Sequence, residues 1–78
     1  MLKSKEFITV ESYLLERYAE LTKQMLDEET SEKEFEILFH MKKEVAETLL
    51  KCGILDDKEL ADYNQGIIAK VHFEQTDN

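Results

Sequence analysis

The sequence predicts an all-α fold of three antiparallel helices. Three observations carry this expectation. Apolar residues recur at helical spacing through three successive segments. Two capping signals punctuate those segments. Proline is absent and glycine occurs twice, so nothing marks a flexible linker.

The first helix is expected over about residues 4–28. At about 100° per residue, Phe7, Val10, Leu14, Tyr18, Leu21 and Met25 fall on one stripe. Ile8, Leu15, Ala19 and Leu26 form a second stripe beside it, and Ser12, Glu16, Lys23 and Asp27 lie opposite. Phe7 and Ile8 keep the phase of the residues after Val10, which favours a start at Ser4 over one at Thr9. The polar run Asp27-Glu28-Glu29-Thr30 ends the helix.

Ser31-Glu32-Lys33-Glu34 then has the spacing of a capping box, in which the serine hydroxyl accepts from the fourth amide and the glutamate reaches back. It opens a second helix over about residues 32–52. Phe35, Leu38, Phe39, Val45, Ala46, Leu49 and Leu50 make an apolar arc wide enough to meet two neighbours, with Met41 and Cys52 at its edge. Lys42 projects near the middle of this arc. Either its stem packs while its amine reaches water, or it enters a buried ion pair or a partner contact.

Gly53 supplies a left-handed residue just past the helix end, and Ile54 is placed to pack back on the last turn. Asp56 and Glu59 repeat the capping spacing and start a third helix over about 57–73. Leu60, Tyr63, Ile67, Ile68 and Val71 face inward. Asn64 falls inside that stripe, either paired with another polar group to fix register or set at a wet edge. The whole chain, 1–78, forms one helical domain, with 1–3 and 74–78 expected to fray.

Leu49-Leu50-Lys51-Cys52-Gly53-Ile54-Leu55-Asp56-Asp57-Lys58-Glu59-Leu60 resembles the turn of the SHOCT-like domains, short helical hairpins of bacterial proteins, over about residues 31–73. Leu60 stands where that pattern often has an aromatic residue, and Leu55 where it has Thr or Ser. The resemblance implies oligomerisation or binding, a link to mobile elements and no catalytic residue. Small sporulation-type aspartyl-phosphate phosphatases are also acidic hairpins. Their second helix carries a Ser-Gln-Glu-Leu-Asp-like motif, whereas Asp62-Tyr63-Asn64-Gln65-Gly66-Ile67 lacks its serine and its aspartate.

Charge and composition narrow the function further. Ten basic against eighteen acidic residues give a net charge of −8, which opposes contact with duplex phosphates. No apolar run approaches membrane-spanning length and the start carries no apolar signal core, which points to a cytoplasmic protein with no membrane partner. The single cysteine excludes an internal disulfide and fits a reducing compartment. At a helix C-terminus, where the dipole opposes a thiolate, Cys52 reads as a small packed residue. Glu36, His40 and Glu44 have ligand-like spacing, but one helix supplies too few ligands for a metal site, and no cofactor motif is present.

The sequence therefore points to a non-enzymatic module that works by protein contact. Three short helices cannot hide this much apolar arc, so a dimeric bundle is one outlet for it. Leu15, Leu26 and Met41, which flank their core stripes, and Lys42 are the expected interface positions. The alternative is an inhibitor that presents an acidic, nucleic-acid-like surface centred on Glu36, Glu44 and Glu47 to a basic protein. A metal- or phosphate-handling enzyme ranks third.

Overall fold

The structure, a computed structural model, describes residues 9–76. Three helices follow one another: α1, Val10–Met25; α2, Glu32–Lys51; and α3, Asp57–Thr76. Tight connections join the helices at alternate ends. Lys42 of α2 contacts both Tyr18 of α1 and Asn64 of α3, well away from those connections, so α2 runs back along both neighbours. The Tyr63 hydroxyl reaches the Leu15 carbonyl, while Ala19 and Lys23 share a surface hollow with Gly66, Ile67 and Lys70. These pairs advance together, so α3 runs parallel to α1 in an up-down-up bundle.

The ends of the helices follow from local chemistry. Thr9 is extended (φ −72°, ψ 162°) and its hydroxyl accepts from the Ser12 amide at 3.0 Å, so α1 starts at Val10. The expected start at Ser4 is corrected at this point: the threonine cap takes the orphan amide and ends the helical run, whatever the phase of Phe7 and Ile8. Those two residues, with 1–6, lie outside the described residues. The other end comes earlier than residue 28. Leu26 is the C-cap, Asp27 accepts from the Glu29 amide at 2.8 Å, and the Thr30 hydroxyl donates to the Gln24 carbonyl. Asp27 and Thr30 draw the chain into a turn, as short polar side chains do.

The Ser31–Glu34 capping box forms in both directions, at 3.1 and 3.0 Å. At the other end of α2, Gly53 (φ +72°) donates to the Leu50 carbonyl and Ile54 to that of Leu49, the paired bonds of a Schellman motif. Asp56 and Glu59 then exchange backbone bonds at 2.7 and 2.9 Å to start α3. This helix continues to Thr76, three residues past its expected end near 73; residues 77–78 lie outside the described set.

The core is thin. Among the described residues the buried apolar side chains are Tyr18, Leu21, Leu49 and Ile67, joined by Thr22, whose hydroxyl donates to the Tyr18 carbonyl at 2.8 Å. Leu14, Ala19, Val45, Ala46, Ile54, Leu55, Leu60 and Val71 pack partly buried around it. The most extensive helix pair is α1 with α2; α3 rests mainly on α1 and meets α2 least.

That asymmetry corrects the expected burial of the α2 arc. Leu49 is fully buried, but Phe35 and Phe39 are 43% and 47% exposed, and Ile37 is also exposed. Taking Leu49 as the inward direction, Phe35 and Phe39 lie about 40° and 80° round the helix from it. Gln24 near the end of α1 and Asp27 just beyond it flank the other side of α2, at Ile37 and Leu38. Because α3 rests mainly on α1, the phenylalanine side of α2 is left partly uncovered.

Candidate functional site

One flank of α2, between its buried and its polar sides, carries the candidate surface. Phe35 and Phe39 are four residues apart, hence neighbours on one strip. With Glu32, Lys33 and Glu36 they border a shallow surface hollow of about 600 Å³. The Phe39 ring meets His40 edge-on, with centroids 5.8 Å apart. Lys43 follows Phe39 by one further turn and is exposed. Farther round the helix, Glu36, Glu44 and Glu47 are all exposed and share the polar side of α2 with His40. The three acidic residues chosen from sequence thus stand together in solvent.

The four expected interface residues are placed differently. Leu15, Leu26 and Met41 are half-buried: Leu15 packs on the core, and Leu26 is the C-cap of α1. Lys42 is turned into the bundle. Its amine donates to Asn64 Oδ1 at 2.7 Å and lies 5.0 Å from the Tyr18 ring centroid. Burial lowers its pKa from the usual lysine value. Lys42 and Asn64, two polar residues inside apolar stripes, therefore answer each other across 22 positions.

Tyr18 and Tyr63 complete this polar seam. Their rings lie 5.7 Å apart with a tilt of 31°, and the Tyr63 hydroxyl donates to the Leu15 carbonyl at 2.7 Å. Burial, then the neighbouring phenol of Tyr63, raises the Tyr18 pKa; burial, then the Glu16 carboxylate, raises that of Tyr63. The seam ties all three helices together.

Cys52 corrects the packed position expected for it: the cap places it at the exposed end of α2, where it is a free thiol. Among the described residues no three His, Cys, Asp or Glu side chains are grouped to hold a metal ion, and no helix is long and apolar enough to cross a membrane. The large apolar side chains left exposed are Val10, Tyr13, Phe35, Ile37, Phe39 and Phe73. Sequence reasoning took Phe35 and Phe39 for core, because periodicity reports a face and not which neighbour covers it. Comparison with family models, curated proteins and solved structures finds no match to the chain.

Proposed function

We propose that the chain is a small acidic protein-interaction or assembly module that acts without catalysis, by contact through the exposed aromatic flank of α2. The observation that carries this reading is the pair Phe35 and Phe39, left about half in water beside a thin core. Each leaves on the order of 90 Å² of apolar surface exposed, worth about 2 kcal/mol if covered. Aromatic side chains are enriched where proteins meet and supply much of the binding energy there. The resemblance of the Gly53 turn to SHOCT-like hairpins, a group linked to oligomerisation or binding, points the same way.

The test is capture of partners from the native cell with the wild-type chain and with a Phe35→Ser/Phe39→Ser double variant. Circular dichroism should show that the variant keeps its helicity and melts cooperatively, at a temperature lowered by the loss of two half-covered rings. The expected result is a defined partner retained by the wild type and lost by the variant. Equal capture by both chains would remove α2's aromatic strip from the function.

A second reading rests on a separate observation: Glu36, Glu44 and Glu47 are exposed together on a chain of charge −8. Such a strip suits a basic target whose nucleic-acid groove it occupies. Binding of that kind weakens as salt shortens the screening length to about 4 Å near 0.5 M. A Glu36→Gln/Glu44→Gln/Glu47→Gln variant should then lose the partner while Phe35→Ser/Phe39→Ser keeps it.

A further inference from the structure

We propose that the strip around Phe39 is covered by a second copy of this chain, with the two α2 helices antiparallel and related by a two-fold axis at Phe39. This rests on the interaction reading above and names its partner.

The charges beside the ridge carry the proposal. Glu36 precedes Phe39 by three residues and Lys43 follows it by four; both are exposed on the same flank of α2. They stand seven residues apart, about 10.5 Å along the axis. Reversing a second α2 about Phe39 brings residue 36 of one copy opposite residue 42 of the other, about 1.5 Å along the axis from residue 43 and within reach of its long side chain. Each Glu36 then meets the Lys43 of the second copy, and this happens twice by symmetry. A patch whose positive and negative ends exchange under a two-fold rotation is what an isologous interface requires. A strip of uniform charge would not have that property.

The apolar part fits the same operation. Phe39 lies on the axis and meets its own copy, and Phe35 of each chain falls beside Lys43 of the other, where the lysine stem can cover the ring. The uncovered side of α2 is available because α3 rests on α1 and meets α2 least. A core of so few buried apolar residues gains directly from the added burial. The outer carboxylates Glu32 and Glu47 approach across the rim, and each chain carries −8, so charge over the whole molecule opposes pairing. Added salt screens this repulsion together with the Glu36–Lys43 pairs, so dimerisation should respond to salt far less than capture of a basic target does.

Sedimentation equilibrium on the full chain tests this, under reductant so that the exposed Cys52 forms no cross-link. The wild type should dimerise reversibly. Phe39→Glu places two carboxylates on the axis and should raise the dissociation constant roughly thirtyfold or more. Glu36→Lys and Lys43→Glu should each raise it roughly tenfold, and the double exchange Glu36→Lys/Lys43→Glu should restore it to within about threefold of wild type. These charge variants sit on the surface, so they remain informative even where Phe39→Glu fails to fold. A strict monomer up to about 1 mM, or a dimer indifferent to the charge exchange, would overturn the pairing. A monomer that still loses its captured partner with Phe35→Ser/Phe39→Ser leaves the interaction module standing and removes only the second copy.

Discussion

The ammonium of Lys42 sits in an unusual place for a lysine, between an asparagine carbonyl and a tyrosine ring. Its folded pKa is depressed by burial, so below that pKa the folded state carries a charge that water would solvate better. Between the folded pKa and the ordinary lysine value of 10.5 the unfolded chain holds more protons, and stability rises with pH there. Tyr18 and Tyr63 act with the opposite sign: their folded pKa values lie above 10.0, so the unfolded chain loses its protons first and stability falls above pH 10.0. Urea unfolding midpoints followed across the alkaline range should rise and then fall. In Lys42→Met the rising limb should vanish and the falling limb remain. Elsewhere in the core, Leu49 is wholly buried, and Leu49→Ala should cost about 2–5 kcal/mol in the same unfolding measurement.

At the scale of the helix, most of what the structure shows was legible in short stretches of sequence. Ser31–Glu34, Asp56–Glu59 and Gly53 could be placed because each motif closes within a few residues and needs no distant partner. Ser31→Ala and Asp56→Ala should each destabilise by about 0.5–2 kcal/mol on denaturation. The two glycines should respond in opposite senses. At Gly53 the positive φ makes Gly53→Ala costly, by about 1–2 kcal/mol, although the space around it is open. Gly66 lies within α3, and a methyl group added there would meet open space, so Gly66→Ala should raise stability by about 1 kcal/mol. What the sequence did not disclose depends on distant positions. The Tyr63–Leu15 bond spans 48 residues, and nothing local marks a carbonyl as its acceptor. Lys42 and Asn64 each stood out as polar within an apolar stripe, but their pairing depends on how two helices align. The cap at Thr9 was missed because phase continuity outweighed a single threonine.

For the molecule as a whole, the balance of surface and core is the governing fact. Among the described residues Val10, Tyr13, Phe35, Ile37, Phe39 and Phe73 remain exposed beside a core of four buried apolar side chains, a surplus of apolar surface over core. If that surplus is covered by association, the melting temperature should climb with protein concentration, and a dilution series followed by circular dichroism reads this directly. The candidate surface was half legible: the acidic residues Glu36, Glu44 and Glu47 announced themselves by composition, whereas Phe35 and Phe39 became visible as surface only once α3 was seen to lean on α1. That lean has a consequence for how the fold opens. With α1 and α2 sharing the larger interface, α3 is the element that can detach while the hairpin persists. Native-state hydrogen exchange should then resolve two cooperative units, with α3 amides exchanging through a partial opening and those around Leu21 and Leu49 only through global unfolding. Tyr63→Phe, which removes the bond to Leu15, should lower the first barrier by about 1 kcal/mol, and the second by no more than that. The Lys42–Asn64 bond and the Tyr63–Leu15 bond are thus the clasp on a door, and the pH that deprotonates Lys42 also sets how firmly it is shut.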